Sequence, residues 1–254
     1  MRLIDSHCHF DAPDFDPDRE QLVAAMLRLG VTDLVFPAVA RSNWDAIRRF
    51  ATTSSRFHAS YGLHPVYLDQ HADTHLQELE HWLRVYQPVA VGECGLDYFL
   101  PGLDVERQLV LFVAQLRLAR DFDLPLIIHA RRSVDHVLKY LRQTGGLRGV
   151  IHSFAGSQQQ ADQLVGMGFM LGIGGTITYE RARRLRRIVA GLPDECLLLE
   201  TDAPDQPDSG WRGKRNDPTR LPVIAAELAR LRDTSSLQVA EITTANARRL
   251  FGLT

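Results

Sequence analysis

Apolar runs alternate with amphipathic stretches along the whole chain. Short runs such as Val31–Phe36 and Val89–Val91 are rich in β-branched residues, which is typical of buried strands. The stretches between them carry apolar residues at helical spacing, as at Leu22, Met26 and Leu29. The alternation predicts a chain built from repeated strand–helix units.

The pattern predicts eight strands, each followed by at least one helix. The strands are expected at Ile4–His7, Val31–Phe36, Phe57–Tyr61, Pro88–Glu93, Pro125–His129, Gly149–His152, Phe169–Gly172 and Cys196–Glu200. The helices are expected at Arg19–Leu29, Asn43–Thr52, His75–Val85, Glu106–Asp121, Ser133–Gln143, Ser157–Gly166, Glu180–Ala190, Pro222–Arg232 and Leu237–Phe251. Even spacing of eight such units predicts an α/β fold, a TIM-type (β/α)8 barrel with parallel strands. A doubly wound sheet is the alternative, but no Gly-x-Gly-x-x-Gly follows the first strand.

No linker, charge block or low-complexity tract divides the 254 residues, so a single domain over 1–254 is expected. The formal net charge of −2 gives no overall attraction to nucleic acid or membranes. Three cysteines without a Cys-x-x-Cys motif predict a reducing compartment rather than a disulfide framework. With no apolar signal segment and no membrane-spanning run, we expect a soluble, cytoplasmic protein that is monomeric and has no obligate protein partner.

Histidines and carboxylates recur where the predicted strands end. His7 and His9 are two residues apart, so their side chains leave a strand on the same side. The full set of such residues is His7, His9, Glu93, His129, His152 and Asp202. Taken singly, each has an ordinary explanation: a solvated or packed histidine, or a turn-forming aspartate before Ala203-Pro204.

In a barrel, however, the carboxyl ends of all strands share one face, where barrel active sites lie. Four imidazoles and two carboxylates meeting there can hold two divalent ions. A carboxylate such as Glu93 can bridge the pair because it has two oxygens. These donor types suit Zn, Mn, Fe or Co, and Mg less well. The strand-end residues therefore predict a metal site with two divalent ions of one of these kinds.

Seven motifs in this order are shared with one known family. They are Asp5-Ser6-His7-Cys8-His9, Gly62-Leu63-His64-Pro65, Val91-Gly92-Glu93-Cys94-Gly95-Leu96-Asp97, Leu126-Ile127-Ile128-His129, Val150-Ile151-His152-Ser153-Phe154, Glu200-Thr201-Asp202-Ala203-Pro204 and Arg212-Gly213-Lys214-Arg215-Asn216. The sequence resembles the TatD family of metal-dependent hydrolases, in the amidohydrolase superfamily. The stretches Gly174–Tyr179 and Asp202–Asp205 are most similar to its YjjV-like branch. The resemblance implies a barrel whose metal ligands are the six strand-end residues listed above.

The resemblance also implies a deoxyribonuclease that cleaves phosphodiester bonds with a metal-activated water. Catalytic roles then fall to Asp202 as general base, to Glu93 as bridging ligand, and to His64 as a donor to phosphate. On sequence alone, His64 is equally well explained as a loop residue held by Pro65. Glu200 would face away from Asp202 on a regular strand, although the resemblance makes it an outer-shell or extra-ion ligand.

Four residues are candidates for substrate binding. Arg131 follows His129 by two, and a guanidinium there suits phosphate, although an exposed arginine is common in this chain. Lys214, Arg215 and Asn216 lie in a glycine-containing loop and are expected to form a phosphate clamp. DNA or another phosphodiester is the expected partner.

Two other functions remain open. A small-molecule amide, lactone or ester hydrolase would use the same two-ion site, and the near-neutral charge and the acidic Asp205–Asp208 segment favour it. A barrel that serves as a binding module is the third possibility, which the intact set of ligands argues against. The resemblance is imperfect at Cys94, where an aliphatic residue is more usual after the bridging glutamate.

Overall fold

Eight parallel strands form one sheet in the order β1 to β8 in a computed structural model that describes residues 1–254. The strands are β1 Leu3–Asp5, β2 Val31–Pro37, β3 Phe57–Tyr61, β4 Ala90–Asp97, β5 Leu126–Arg131, β6 Gly149–Ile151, β7 Met170–Ile173 and β8 Leu197–Leu199. The amide of Ser6, just after β1, donates to the carbonyl of Leu199 on β8 at 3.0 Å and brings the sheet edges together. The predicted (β/α)8 barrel is confirmed.

Nine α-helices surround the strands. They are α1 Arg19–Arg28, α2 Arg41–Ala51, α3 His75–Tyr86, α4 Val105–Asp121, α5 Val134–Thr144, α6 Gln158–Gly166, α7 Arg183–Gly191, α8 Leu221–Leu231 and α9 Ser236–Phe251. Asp104 begins the longest of them, α4, by accepting the amides of Glu106 and Arg107 at 2.9 and 3.1 Å. Gly252, with φ of +66°, ends α9 in the left-handed conformation. None of the nine combines the length and the apolar composition that a membrane crossing requires.

Boundaries differ most from expectation at β4 and α7. Strand β4 was expected to end at Glu93 but continues to Asp97. All eight of its residues are buried, and its second half pairs with β5 instead of forming a loop. Helix α7 begins at Arg183 rather than Glu180, after a short 3-10 turn at Gly175–Thr178. The longer β4 places one more inward-facing carboxylate, that of Asp97, near the predicted metal site.

The core has two parts. A cluster of 52 buried residues fills the layer between the strands and the helices. A second cluster of 10 residues joins side chains of seven strands to Ala247, Leu250 and Phe251 of α9. Its strand residues include Ile127 and Val150, each two positions before a predicted histidine ligand. Because strand side chains alternate, these residues pack directly beneath the site and support it.

Candidate metal centre

All six predicted ligands lie at the carboxyl ends of the strands, as a barrel requires. His7 and His9 follow β1, Glu93 and His129 lie in β4 and β5, and His152 directly follows β6. The sixth, Asp202, follows β8 by three residues. Three overlapping groups of donor atoms lie within 4.8 Å of one another, and they contain all six ligands together with His64: His7, Glu93 and His152; His7, His9 and Asp202; His64, Glu93 and His129. The structure therefore brings the six together around one point.

One group of donors surrounds the Oε2 atom of Glu93. The Nε2 atoms of His7 and His9 lie 3.3 and 3.5 Å from it. The same two nitrogens lie 3.3 and 3.7 Å from Oδ1 of Asp202. They are 3.2 Å from each other. Two imidazoles and two carboxylates thus converge here.

A second group surrounds the other oxygen, Oε1, of Glu93. Nε2 of His152 is 2.8 Å away and Nδ1 of His129 is 3.4 Å away. These two nitrogens are 3.2 Å apart. Nε2 of His64 also lies 3.1 Å from this oxygen. The two oxygens of Glu93 therefore face different histidines, which is the arrangement expected of a bridging carboxylate.

Buried polar atoms at the site have no protein partner. Nδ1 of His7, Nδ1 of His152 and Oε2 of Glu200 are buried without a hydrogen bond. Glu93 itself is 1% exposed. A buried carboxylate surrounded by five imidazoles is costly unless cations or protons occupy the donors. The donor set fits divalent ions that accept both nitrogen and oxygen ligands.

Protonation of the centre follows from the same contacts. Burial acts to lower the pKa of His152, but the charge and hydrogen bond of Glu93 outweigh it and raise it to about 10. Burial and the neighbouring His152 lower the pKa of His7 to about 4. In the metal-free protein a proton is therefore held on His152 against Glu93, and an ion binding there must displace it.

Asp97 orients His129 and was not predicted as a site residue. Its Oδ2 lies 2.9 Å from Nε2 of His129, while Oδ1 accepts the amides of Phe99 and Leu100 at 2.8 and 3.0 Å. Burial acts to raise the pKa of Asp97, but these hydrogen bonds outweigh it and lower it to about 2. The carboxylate keeps the hydrogen of His129 on Nε2 and leaves Nδ1 free to bind an ion. The alternation of Glu93, Gly95 and Asp97 in the sequence was the available signal.

Glu200 lies behind His152. Its Oε1 accepts the amide of Ser153 and is 3.8 Å from Nδ1 of His152. The expectation that Glu200 faces away assumed a regular strand, but β8 ends at Leu199 and Asp202 is left-handed, with φ of +57°. Burial raises the pKa of Glu200 to about 8. Glu200 thus lies beside His152 and holds the amide of Ser153, without a hydrogen bond to the imidazole.

Asp5 links the segments that follow the first and the last strand of the barrel, and it was not predicted as a site residue. Its carboxylate accepts the amide and hydroxyl of Thr201 at 2.9 and 2.6 Å and the amide of His7 at 3.3 Å. Burial raises its pKa to about 7. The interaction fixes the segments that carry His7 and Asp202 relative to each other.

His64 differs from His129 in the nitrogen that it turns toward Glu93. Its Nδ1 accepts the amide of Val66 at 3.1 Å, so neutral His64 carries its hydrogen on Nε2. That nitrogen lies 3.1 Å from Oε1 of Glu93. Burial lowers the pKa of His64 to about 4, which keeps the ring neutral. His64 thus directs a hydrogen-bond donor at Glu93, and it also forms with Glu93 and His129 one of the groups that could hold an ion.

A cavity of about 1540 Å³ opens above the centre and contains Arg131. The other three predicted substrate contacts, Lys214, Arg215 and Asn216, do not line it. Nη2 of Arg215 pairs with Oδ2 of Asp18 at 2.6 Å, and Lys214 lies 4.1 Å from the ring centre of Trp211.

Asn216 is fully buried. Its amide donates to the carbonyls of Thr201 and Asp205 at 2.8 and 2.7 Å, which holds the segment around Asp202. The structure places Asn216 as a support of Asp202. The loop that precedes Asn216, Arg212–Arg215, does not line the cavity.

Comparison with known proteins places this geometry in a family. The model of the family described as TatD related DNase matches residues 4–252. The chain belongs to this family. Among TatD-related proteins, an Escherichia coli relative named "Uncharacterized metal-dependent hydrolase YjjV" is 40% identical over 255 residues, covering 99% of this chain and 98% of the relative. A Mycobacterium tuberculosis relative, "Uncharacterized metal-dependent hydrolase TatD", is 37% identical over 262 residues, with 99% and 98% covered.

Solved structures agree with that assignment. The crystal structure of the E. coli YjjV TatD homologue superposes with a TM-score of 0.95 at 39% identity and covers 100% of this chain and 99% of its own. A TatD-family hydrolase from Entamoeba histolytica shares the fold, with a TM-score of 0.87 at 19% identity, covering 100% and 99% of the two chains. The predicted membership in the TatD family and its YjjV-like branch is confirmed.

Proposed function

We propose that this chain, a metal-dependent hydrolase of the TatD-related family, cleaves phosphodiester bonds in DNA with the help of two divalent ions. The observation that carries the proposal is the division of donors between the two oxygens of Glu93. Oε2 faces His7 and His9 within 3.5 Å, and Oε1 faces His129 and His152 within 3.4 Å. A shared carboxylate between two histidine pairs is suited to a pair of ions acting on one phosphate.

The residues of the chain divide the work around that pair. His7, His9 and Asp202 would hold one ion, His129 and His152 the other, and Glu93 both. When bound, the ions lower the pKa of a water molecule toward neutrality and neutralise charge on the phosphoryl oxygens.

Asp202 is the general base in this proposal. Its Oδ1 faces the His7–His9 pair, its side chain is 11% exposed to the cavity, and its Oδ2 accepts a hydrogen bond from Gln206. A carboxylate at the edge of the centre can orient the attacking water and accept its proton. Gln206 holds the second oxygen and so fixes the direction of the first.

His64 is the donor to the substrate. Its Nε2 hydrogen points at the centre because Nδ1 is occupied by the amide of Val66. A neutral donor of this kind can stabilise charge that develops on a phosphoryl or leaving-group oxygen. Arg131 stands at the end of β5, in the cavity and two residues beyond His129, where its guanidinium can bind a second phosphate.

A compact amide, lactone or ester substrate is the second candidate, and the acidic residues in the cavity favour it. Asp14 and Asp205 line the cavity and are exposed, so they repel a long polyanion that approaches from their side. Salt dependence distinguishes the two functions, because binding of a polyanion releases counterions and weakens steeply with salt.

The test uses metal-stripped protein and end-labelled single-stranded DNA, with Mg²⁺, Mn²⁺ or Zn²⁺ added back separately. We expect stepwise cleavage that depends on added metal and is lost in Asp202→Asn. Asp33→Asn is the matched control, because Asp33 pairs with His58 at 3.1 Å outside the cavity. Metal uptake without DNA cleavage, together with hydrolysis of lactones or amides, would replace the nuclease with the second candidate.

A further inference from the structure

Phe99 is an exposed aromatic ring inside the cavity. It follows β4, lines the cavity with Arg131 and Arg132, and is 41% exposed. Eleven large apolar side chains are exposed, and Phe99 and Tyr67 are the only two of these that line the cavity. Its place in the cavity suggests contact with a flat, partly apolar group of the substrate.

Two guanidinium groups accompany the ring. Cζ of Arg131 lies 3.7 Å from the ring centre, and Cζ of Arg132 lies 4.7 Å from it. Both distances lie within the range of a cation–π interaction. Planar guanidinium and aromatic groups are the surfaces on which unpaired bases stack in proteins that bind single strands.

The ring is tied to the metal centre through one carboxylate. Asp97 accepts the amide of Phe99 with Oδ1 and holds Nε2 of His129 with Oδ2. Tyr98, the intervening residue, donates its amide to the carbonyl of Arg131 at 2.9 Å. The aromatic ring therefore stands at a fixed place relative to a metal ligand rather than on a free loop.

Charge is distributed unevenly around the cavity. Arg131 and Arg132 lie at the end of β5 with one acidic neighbour, Asp135 of α5, whereas Asp11 and Asp14 follow β1 and Asp205 follows β8, with Arg184 of α7 as the one basic residue near that side. In an eight-stranded barrel β5 stands across from β1, so the basic and acidic sides face each other. A nucleic-acid strand would lie along the β5 side, where Phe99 is exposed.

We infer that Phe99, with Arg131 and Arg132, forms a stacking subsite for an unpaired nucleobase next to the phosphate that is cleaved. The subsite rests on the proposed phosphodiesterase function and assigns contact with one base to Phe99 and its two neighbouring arginines. Each base stacked on an aromatic side chain contributes about 1–3 kcal/mol, which corresponds to about 5- to 150-fold in affinity.

The first measurement compares oligonucleotides that carry a normal nucleotide or an abasic residue beside the cleaved bond. In the metal-loaded wild-type protein, we expect kcat/KM to favour the normal nucleotide by about 5- to 150-fold. In Phe99→Ala this ratio falls to near one, and Phe99→Trp restores it. The ratio within one variant is insensitive to small losses of folded or metal-loaded protein.

The second measurement follows binding without cleavage. A phosphorothioate oligonucleotide with 2-aminopurine at the same position is expected to lose fluorescence on binding to wild-type protein and to Phe99→Trp, but not to Phe99→Ala. The control is Tyr86→Ala. Tyr86 ends α3 ahead of β4, at the opposite end of the barrel, is 41% exposed, and has Cζ of Arg48 at 5.2 Å from its ring.

The outcomes separate the subsite from the proposed function. Cleavage with an unchanged base preference in Phe99→Ala contradicts the subsite and leaves the nuclease standing. If the fluorescence is quenched only when Phe99 or Trp is present, and no metal-dependent cleavage occurs, the stacking subsite is supported and the nuclease function is contradicted. Absence of both quenching and cleavage overturns both.

Discussion

The substitution Asp97→Asn tests how the centre is oriented, because it changes one atom of the Asp97 side chain. The remaining oxygen can still accept the amides of Phe99 and Leu100, which lie 2.8 and 3.0 Å from Oδ1 in the wild-type protein. The new NH₂ group is then placed against Nε2 of His129, which lies 2.9 Å from Oδ2 in the wild-type protein. An NH₂ group cannot accept a hydrogen bond, so His129 moves its hydrogen to Nδ1. That nitrogen is the one that faces Glu93.

The expected magnitude follows from this change of tautomer. Loss of a carboxylate behind a metal-binding histidine costs about 10- to 100-fold in metal affinity, which is about 1.4–2.7 kcal/mol. In the proposed two-ion centre, the effect falls on the ion that His129 and His152 would hold. The ion that His7 and His9 would hold is expected to bind as in the wild type, since Asp97 makes no contact with either residue.

Calorimetric titration of metal-stripped protein with Mn²⁺ or Zn²⁺ measures the two affinities. Asp33→Asn is the control, because it alters a second aspartate–histidine pair, with His58, at a similar distance of 3.1 Å. We expect one weakened step in Asp97→Asn and no change in Asp33→Asn. If Asp97→Asn binds each of the two ions as tightly as the wild-type protein does, the orienting role of Asp97 is refuted.

Three further predictions concern stability. Gly172→Ala is expected to lower the free energy of unfolding by about 1–3 kcal/mol, since its Cβ would collide with Oε2 of Glu200. Chemical denaturation should show that this loss disappears when Glu200→Ala is also present. Asn216→Ala leaves two carbonyls unpaired, so thermal unfolding should report a loss of about 1–3 kcal/mol; an unchanged Tm contradicts its supporting role. The carboxylate of Asp97, with its pKa lowered from 3.8 to about 2, stabilises the fold above pH 3.8 and loses this effect as the pH falls through 2. The Tm difference between wild type and Asp97→Asn should therefore be larger at pH 7 than at pH 3.

The barrel was predictable because its signals are local. Apolar runs and helical spacing recur eight times, and parallel strands in a closed sheet place all carboxyl ends on one face. The gathering of His7, Glu93, His129 and Asp202 follows from that topology alone. The predicted ligands therefore came together in the structure even though no pair beyond His7 and His9 is close in sequence.

The supporting residues could not be predicted in the same way, because their roles depend on backbone geometry. Asp97 was taken as lying beyond β4, and its partner His129 is 32 positions away. Glu200 joins the centre because β8 stops at Leu199 and the chain turns at Asp202. The charge of the loop containing Arg215 suggested phosphate binding, but its direction is set by the ion pair with Asp18, which no local pattern indicates.

Metal stoichiometry tests the central claim most directly. Purified protein loaded with Mn²⁺ or Zn²⁺ and dialysed should contain two ions per chain by elemental analysis. Because the two oxygens of Glu93 face different histidines, Glu93→Gln should lower the occupancy of both ions together. A single ion in the wild-type protein, or loss of just one of two ions in Glu93→Gln, would contradict a centre built around a bridging Glu93.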